Sequence, residues 1–425
     1  MDAGTPPEKP ERIIETRCCV VGGGPAGMML GYLLGRAGIE TVVLEKHADF
    51  FRDFRGDTVH PSTLQVMDEL GLIDGFLKLP HQELQIMEGR FGTTSIRLAD
   101  LRRLNAKYPF IAMMPQWDFL NFLRESGKRF PKLNVMMKAE ATDLIWSGDK
   151  VVGVVADTPE APVQIHADLT VACDGRHSII RERAHLDVEE IGAPMDVLWF
   201  RAGKRADEKE RLFARVETGK MMVTFDRGDY WQCAYVIAKG QYDAVKALGL
   251  DAFRNDIVAM VPVLQHGIAD VKTWDDVKLL TVAINRLKRW TRPGLLCIGD
   301  AAHAMSPVGG VGVNLAVQDA VATANLLAGK LVTGCPSEEE LAAVRERREF
   351  PMRLTQRMQV IVQNNIISVA LKGDRQMTPP LLMRLVSAMP WLQGLAARFI
   401  AVGIRPEHVQ SPAAGQGGSP FRDDA

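Results

Sequence analysis

Three apolar runs in this sequence are followed by turns that contain glycines, and two of these turns also carry an aspartate. The first run, residues 17–21, is followed by GGGPAG at 22–27, a GxGxxG pattern, and then by a helical pattern over 28–36. Such glycines allow a tight turn and let a pyrophosphate approach the backbone, and the positive end of the helix favours the anion. Glu45 ends the next predicted strand, residues 41–45, where a carboxylate can accept hydrogen bonds from ribose hydroxyls but disfavours a 2′-phosphate. The spacing predicts a dinucleotide site at this turn.

The second turn follows the apolar run at residues 169–173. Asp174 and Gly175 come directly after it, and Ser178 and Arg181 lie in the helical stretch beyond them. This turn alone indicates little, because Asp-Gly is a common turn dipeptide and Arg181 could be a surface arginine.

The third turn, GDAAHAMSPVGGVGVN at residues 299–314, follows the apolar run 295–298 and leads into a helix predicted over 314–331. Gly299 would let a ligand lie against the backbone, and Asp300 offers a carboxylate to a polyol hydroxyl. The amino-terminal end of the helix would favour negative charge on a bound ring. His303 could act in catalysis, but a histidine that packs or caps a turn is the simpler interpretation.

Two kinds of strand pattern position these turns. Short buried runs alternate with helical segments up to about residue 190 and return at 295–298, which is typical of parallel strands in an α/β fold. The runs 197–200, 221–225 and 231–236 instead indicate a more antiparallel sheet, and the chain is mostly helical from 312 to about 403. We predict a discontinuous α/β domain at 13–80, 110–190 and 285–345, a sheet domain at 81–109 and 191–284, a helical region at 346–410, and flexible tails at 1–12 and 411–425.

Composition and charge exclude several classes of function. The 425 residues carry a net charge of −1, which gives no electrostatic reason to expect nucleic acid as a partner. The six cysteines form no CxxC pair and no HExxH pattern occurs, so we predict no metal site, no disulfide framework and a reducing compartment. No apolar run approaches the roughly 18 residues needed to span a bilayer. We therefore predict a cytoplasmic protein for which membrane contact is not expected. The apolar stripes at 381–386 and 391–402, with Arg384 and Arg398, indicate packing on the cofactor domain or on a dimer partner, and contact with a membrane surface is the lesser alternative.

Together and in this order, the three turns resemble those of the class A flavoprotein monooxygenases, the para-hydroxybenzoate hydroxylase-like family. The resemblance covers nearly the whole folded chain; the third turn, read as GDAAHxxxPxxGxGxN, is highly specific, whereas the first is generic. It implies a Rossmann-like FAD-binding domain of the GR2 type, interrupted by an antiparallel-sheet substrate domain and followed by C-terminal helices. It also implies bound FAD, with NADPH or NADH as a transient co-substrate.

The resemblance gives roles to residues of all three turns. The ADP half of FAD would contact Gly22, Gly24, Pro25, Ala26, Gly27, Glu45 and Lys46. Both FAD and the pyrophosphate of NAD(P)H would contact Asp174, Gly175, Ser178 and Arg181. The ribityl chain would be held by Gly299, Asp300 and Gln116, while the flavin ring and catalysis would depend on Pro307, Gly310, Gly312, Val313 and Asn314. Arg55 would meet the FAD diphosphate, with Arg52 as a rival for that role.

The activity that the resemblance implies is hydroxylation of an aromatic small molecule, phenolic or of the polyketide or quinol type, by NAD(P)H and O2 through a flavin C4a-hydroperoxide. The substrate contacts that we predict in the antiparallel sheet are Trp199, Arg201, Tyr230 and Trp231, although such aromatic residues are often ordinary core. Val311 and Val313 replace the more frequent polar or larger residues of the flavin loop, which bears on substrate positioning rather than on cofactor binding. The protein is expected to be a monomer or a homodimer.

Two other kinds of function are compatible with the same turns. A related flavoprotein could reduce or epoxidise an isoprenoid or lipid-like substrate, and a reductase would not consume oxygen stoichiometrically. A halogenase is disfavoured because no GWxWxIP stretch follows the first turn. A flavin-binding regulator without turnover is disfavoured by the intact loop at 307–314, and it would retain FAD with negligible NAD(P)H oxidation.

Overall fold

The structure, a computed structural model, describes residues 12–51, 58–208, 214–373 and 378–414. The strands are β1 Arg12–Val21, β2 Thr41–Glu45, β3 Thr58–Val59, β4 Gln82–Leu84, β5 Ile86–Phe91, β6 Thr94–Asp100, β7 Ile111–Met113, β8 Leu133–Met137, β9 Glu140–Ser147, β10 Lys150–Asp157, β11 Val163–Ala172, β12 Val188–Glu190, β13 Met195–Gly203, β14 Ala214–Glu217, β15 Lys220–Asp226, β16 Tyr230–Ala238, β17 Lys278–Leu280, β18 Asn285–Leu287, β19 Thr291–Arg292 and β20 Leu295–Cys297. The helices are α1 Pro25–Arg36, α2 Pro61–Glu69, α3 Ile73–Phe76, α4 Gln116–Gly127, α5 Ile179–Arg183, α6 Tyr242–Ala247, α7 Leu250–Met260, α8 Gly312–Thr333, α9 Glu338–Val362, α10 Ser368–Lys372, α11 Leu381–Ala388 and α12 Pro390–Ala397.

The first sheet is built on parallel strands in the order β20, β11, β1, β2 and β8. β2 is buried along its whole length, as expected for a parallel strand that is covered on both faces. β19 pairs with β20, and β10 with β11 and β9, in antiparallel fashion. β1 begins at Arg12 instead of residue 17, because its polar first half pairs with β11. Arg12 therefore belongs to a strand and not to the tail predicted for residues 1–12.

The second sheet has the order β17, β13, β16, β15, β14, β5 and β6. Neighbouring strands are antiparallel except β14 and β5, which are parallel. One face packs on α7 and the turns after it, where Phe200 contributes to a core with Phe253 and Ile257. The other face contributes Val197 and Val236 to a second apolar cluster. The prediction of an α/β fold interrupted by a largely antiparallel sheet is confirmed.

Helices follow the third turn, as predicted. α8 packs on α1 and α9, and α9 continues through a π-helical turn at Gln363–Ile367 into α10. α11 and α12 pack on β6, and residues 411–414 lie against the end of α1. There Arg36 Nη1 donates to the Ser411 carbonyl at 3.0 Å, and the Ala414 N–H donates to the Arg36 carbonyl at 2.8 Å. Ser411 is buried and Ala414 is hydrogen-bonded to α1, although the sequence places both in a flexible tail.

One helical stretch among the described residues, Val308–Thr333, is long and apolar enough to cross a membrane. The most apolar 18 residues of this stretch are 78% buried inside the protein, because α8 packs between α1 and α9. α11 and α12 with its extension to Val402 are long and apolar enough to cross a membrane only when taken together, and the two are bent by 106° relative to each other.

A buried charge network joins α8, α9 and the end of the chain. Asp319 of α8 accepts from Arg348 Nε of α9 at 2.9 Å and lies 2.6 Å from His303 Nε2. Arg348 also lies 3.5 Å from Glu407, and all four side chains are almost fully buried. Burial opposes ionisation of Asp319, but His303 and Arg348 outweigh that effect and hold the pKa of the carboxyl below its usual value. Asp319 is therefore a buried anion that depends on its partners.

We expect Arg348→Met to lower the free energy of unfolding by about 3–5 kcal/mol, because the change removes the buried ion pair and hydrogen bond between Arg348 and Asp319. Urea unfolding at neutral pH measures the loss. Arg353→Gln on the same helix is the matched control, since Arg353 is exposed and its ion pair with Glu349 is worth less than about 1 kcal/mol. Equal losses in the two variants would contradict the role given to the network.

Candidate functional site

The carboxyl ends of four adjacent parallel strands meet at one edge of the first sheet. In the order β2, β1, β11 and β20 they carry Glu45, the GxGxxG turn, Asp174 and Gly299. Since neighbouring parallel strands end on the same side, the three turns that are far apart in sequence lie next to one another in the structure. The edge that they form is a candidate cofactor site.

Close contacts between the turns require glycine. A Cβ on Gly27 would lie 1.9 Å from the Gly22 carbonyl oxygen, and a Cβ on Gly22, whose φ is +104°, would lie 2.5 Å from the carbonyl oxygen of Cys173. Gly24 differs, because a Cβ there would meet no atom within 4 Å. The turn is closed toward the protein and open at Gly24, which caps α1 and is followed by Pro25 and Ala26. This is the shape expected of a cradle for an anion at a helix N-terminus.

Glu45 is fixed by the turn that it flanks. Its Oε2 accepts from the Gly23 N–H at 3.1 Å, and its Oε1 accepts from the His47 N–H at 3.0 Å. Each carboxylate oxygen can accept more than one hydrogen bond, so the group keeps capacity for ribose hydroxyls. Lys46, also predicted to contact the cofactor, is exposed and lies 3.6 Å from Glu140. Arg55 and its rival Arg52 lie outside the described residues.

The second turn places a carboxylate at the edge. Ser178 caps α5 by accepting from the Arg181 N–H at 3.0 Å, and Asp174 Oδ2 accepts from the Ile180 N–H at 3.2 Å. Asp174 Oδ1 is buried without a hydrogen-bond partner among the described residues, and burial raises the pKa of this carboxyl. Gly175 beside it is open. The turn therefore has an unsatisfied acceptor that a hydroxyl or amino group of a ligand would satisfy.

Arg181, predicted to contact FAD and the pyrophosphate of NAD(P)H, lies between the second and third turns. Its guanidinium donates to the carbonyl oxygens of Ala301 at 3.2 Å and Arg176 at 2.7 Å. Arg181 thus joins the second turn to the third, which a sequence motif cannot reveal. Arg176, which the sequence did not indicate, lies 3.6 Å from Asp300, and both side chains are partly exposed. Gly299 has φ +59° and lies against Ala26 of the first turn.

The loop of residues 307–312 is tied to the amino-terminal part of the chain. Thr58 Oγ1 donates to the Gly310 carbonyl at 2.7 Å, and Asn314 Oδ1 accepts from the His60 N–H at 2.9 Å and from Thr63 Oγ1 at 2.7 Å. Gly310 has φ +64°, and a Cβ there would lie 2.5 Å from Thr58 Oγ1. Asn314, predicted as catalytic, therefore holds the loop in place through its side chain. Pro307, Gly310 and Gly312 are half-buried, whereas Val313 is buried in the core.

His60 supports the same loop from behind. Its ring is fully buried, and Nδ1–H donates to the Ile400 carbonyl at 3.0 Å. Burial lowers the pKa of His60 to about 4, and the hydrogen bond to Ile400 opposes that shift. His60 is therefore neutral at physiological pH. The contacts that give His60 this role join distant parts of the chain and are not visible in the sequence.

Three glutamines of α9 and the following π-turn hold the other side of the loop. Gln359 Nε2 donates to the carbonyls of Ser306 and Val308, each at 2.9 Å, and Gln363 Nε2 donates to Ser306 Oγ at 2.6 Å. Gln356 Nε2 donates to the Ala304 carbonyl at 3.1 Å. Spacings of three and four put these amides on one helix face. That spacing is visible in the sequence, but the surface that it would meet is not.

The predicted substrate contacts divide between the two faces of the second sheet. Trp199 lies near Val308 in one apolar cluster and stacks on Phe225, with ring centroids 6.1 Å apart. Tyr230 is on the same face, and Arg201 lies 5.0 Å from its ring. Trp231 points the other way because neighbouring residues of a strand alternate, and its Nε1 donates to Glu208 at 2.9 Å. The prediction for Trp231 was wrong: it belongs to the core under α7.

The residues at this edge fit FAD. The glycine turn gives an open cradle at a helix N-terminus, Glu45 and Asp174 offer acceptors, and Asp300 is partly exposed beside Arg176. Gln116 is the first residue of α4 and is half-buried. The loop at 307–312 adds backbone N–H groups at the start of α8. These features could accommodate a diphosphate, a polyol and a flat ring in succession.

Comparison with known proteins agrees with this arrangement. The model of the FAD binding domain family matches residues 15–358. The chain is 31% identical over 410 residues to the 6-methylpretetramide 4-monooxygenase of Streptomyces rimosus, covering 95% of this chain and 96% of that protein. The structure of the OxyS anhydrotetracycline hydroxylase from Streptomyces rimosus has a TM-score of 0.71 at 22% identity, with 95% and 78% of the two chains covered. The p-nitrophenol 4-monooxygenase from Pseudomonas putida has a TM-score of 0.71 at 20% identity, with 93% and 100% covered.

We expect Gly24→Ala to weaken FAD binding roughly tenfold or more while leaving the apoprotein folded, because the methyl group occupies the open cradle and overpacking costs about 1–3 kcal/mol. Fluorescence titration of apoprotein with FAD and thermal unfolding of the apoprotein measure the two effects. Gly329→Ala is the matched control, since a Cβ there also meets no atom within 4 Å but lies far along α8. Unchanged FAD affinity in the Gly24 variant would contradict the placement of the diphosphate.

Proposed function

The chain belongs to the FAD binding domain family and is an FAD-dependent monooxygenase, and we propose that its substrate is a polyketide-like aromatic with phenolic rings. The single observation that carries the substrate class is the apolar face of β13, β15 and β16 that meets the loop at 307–312. A relative that matches over nearly the full length of both chains is named for oxygenation of 6-methylpretetramide. Both point to an extended apolar ring system as substrate.

We propose that the successive parts of FAD lie along the three turns as the sequence predicts. The adenosine diphosphate half would lie along Gly22, Gly24, Gly27 and Glu45, the ribityl chain would lie near Asp300 and Gln116, and the flavin ring would lie at the loop 307–312. Bound FAD would accept a hydride from NAD(P)H and activate O2 for transfer of one oxygen atom to the substrate. The protein supplies binding, orientation and electrostatics.

The protein's own part is to position a ring and keep water out. Trp199, Val308 and Ile367 make an apolar wall between the sheet and the loop, and apolar walls exclude water from a reacting centre. The N-terminal end of α8 at Gly312 favours negative charge at the loop. Arg201 and Tyr230 lie on the same sheet face and could orient a phenolic oxygen. An electron-rich ring held here would be oriented for electrophilic oxygen transfer.

The two sheets support the proposed division into domains. We propose that residues 13–80, 110–190 and 285–345 form the FAD-binding domain and that residues 81–109 and 191–284 form the substrate domain, with a helical region at 346–410. β5 and β6 join the second sheet from the first of these substrate segments. We also propose the cytoplasm as the compartment, since NAD(P)H is available there, and either a monomer or a homodimer as the functional form.

We expect the FAD-loaded protein to oxidise NAD(P)H severalfold faster with a fused-ring polyketide phenol than alone or with phenol itself. The apolar face extends over the neighbouring strands β13, β16 and β15, which is about 10 Å at a strand spacing of about 4.8 Å and more than one ring needs. Absorbance at the NAD(P)H band, oxygen uptake and peroxide release are followed together. Stimulated oxidation with oxygen uptake and little peroxide is the expected result. NAD(P)H consumption without oxygen uptake would identify a reductase instead. A rate of NAD(P)H oxidation that no fused-ring phenol increases would rule out the proposed substrate class.

Trp199 and Trp231 form a matched pair on opposite faces of one sheet. We expect Trp199→Phe to raise KM for the aromatic substrate roughly tenfold, because lost apolar contact weakens binding by about 1–3 kcal/mol. Trp231→Phe should leave KM unchanged and lower the free energy of unfolding by about 1–2 kcal/mol through loss of its hydrogen bond to Glu208. Steady-state kinetics and urea unfolding of both variants test this. A KM effect in the Trp231 variant alone would reverse the assignment of the faces.

A further inference from the structure

The outward side of the α11–α12 hairpin is apolar. Leu381, Leu382, Trp391 and Leu395 are 71%, 70%, 67% and 58% exposed, and Leu385 and Met389 are also exposed. These six residues, here named the hairpin face, lie within one short stretch of chain. Single exposed apolar residues need no explanation, but a contiguous group of this kind marks an interaction surface.

The inner side of the same hairpin is fixed to the sheet. Ser387 Oγ accepts from the Arg97 N–H of β6 at 3.0 Å, and Gln393 Nε2 donates to the Ser387 carbonyl at 2.8 Å. Ala397 is fully buried, and Met383 packs on a separate apolar cluster of β5 and β6. Because these contacts fix both helices, the hairpin face is directed away from the protein in the folded chain.

The charge around the hairpin face is positive. The chain carries three arginines and no acidic residue between Thr378 and Pro406. Arg384 and Arg398 are exposed, and neither forms an ion pair with another described residue. Arg103 lies beside Gly394 of α12 but is 3.6 Å from Asp100, so the unpaired positive charge comes from the arginines of the hairpin itself. Leucine, tryptophan and arginine together are the composition of helices that lie in the interface of a bilayer with anionic lipids.

The geometry of the hairpin suits a position along a membrane surface. α11 has eight residues and α12 with its π-helical extension runs from Pro390 to Val402, so the two are about 12 and 20 Å long at 1.5 Å per residue. Neither reaches the roughly 30 Å of a hydrocarbon core. The 106° bend between them also precludes one continuous span. Both helices can instead lie flat with the hairpin face toward the lipid.

We propose that the hairpin face docks this protein on the surface of a bilayer that contains anionic lipid. This goes beyond the proposed function and favours contact with a membrane surface over the packing that the apolar stripes of these helices indicated, because the exposure of the six residues becomes visible only in the fold. A second copy of the chain fits this face less well. A two-fold contact centred on it would bring Arg384 and Arg398 toward the same residues of the other copy.

Docking in this way would place the proposed substrate region near the bilayer. Ile400 and Ala401, in the extension of α12, pack with Met113 and Phe225, and Phe225 stacks on Trp199. An apolar aromatic dissolved in lipid would therefore be close to the site. This consequence rests on the proposed function, whereas docking itself does not, and vesicle binding is measured without turnover so that the two can fail separately.

The test is co-sedimentation of the full-length, FAD-loaded protein with vesicles of phosphatidylcholine alone or of equal parts phosphatidylcholine and phosphatidylglycerol. We expect at least about tenfold tighter binding to the anionic vesicles, weakened by high salt, since arginines near an anionic surface add attraction. The double variant Trp391→Ser/Leu395→Ser should lose binding to both. Arg384→Gln/Arg398→Gln should lose the preference for anionic vesicles. Leu248→Ser is the matched control, because Leu248 is 75% exposed but lies next to α6.

Three results would overturn the proposal. The first is failure of the wild-type protein to sediment with anionic vesicles. The second is an equal loss of binding in the Leu248 control, which would show that any exposed leucine suffices. The third is a dimer of the wild-type protein in light scattering that becomes a monomer in the Trp391→Ser/Leu395→Ser variant, which would show that a second copy covers the hairpin face. All substituted residues are exposed, and thermal unfolding checks that the variants fold.

Discussion

The site depends on the parallel pairing of β1 with β2 on one side and β11 on the other. That pairing places the end of β1 between two strand ends that carry carboxylates, and it forces the backbone of the glycine turn against the end of β11. A side chain on Gly22 or Gly27 would separate these elements. The turn is in close contact with the protein at Gly22 and Gly27 and is open at Gly24. The close packing of the turn on the sheet therefore also shapes the cradle.

The candidate site is completed by the loop at 307–312, which lies in the second half of the chain. The loop at 307–312 is fixed by Thr58 and His60, more than 250 residues earlier, and by the glutamines of α9. Behind it, Asp319 accepts a hydrogen bond from the N–H of Gly299 at 3.1 Å and is balanced by Arg348 and His303. One buried carboxylate therefore links the third turn to α9. Because the polar groups around the loop are hydrogen-bonded from both sides, the loop can be rigid without being buried.

Local patterns sufficed for the strands, the three turns and the family. Asp300 and the glycines follow apolar runs at spacings that only a few local structures satisfy. The predicted flexible tails were wrong at Arg12 and Ser411, because these residues are held by contacts with distant parts of the chain. Trp231 and Arg181 show what the sequence could not indicate. Adjacent aromatic residues on a strand must face opposite ways, but the sequence does not say which face receives the loop. The contacts of Arg181 with the third turn, and the position of Arg176 beside Asp300, could not be predicted because contacts between turns depend on the order of the strands in the sheet.

This fold uses bound FAD to place one atom of O2 on an aromatic ring. The oxygen transfer is measured by the mass of the product formed from NAD(P)H and a fused-ring phenol under ¹⁸O2, with a parallel reaction in H2¹⁸O under ordinary oxygen. We expect one labelled oxygen atom in the product from the gas and none from the water. A product that lacks the label, or one that has gained only hydrogen, would contradict it.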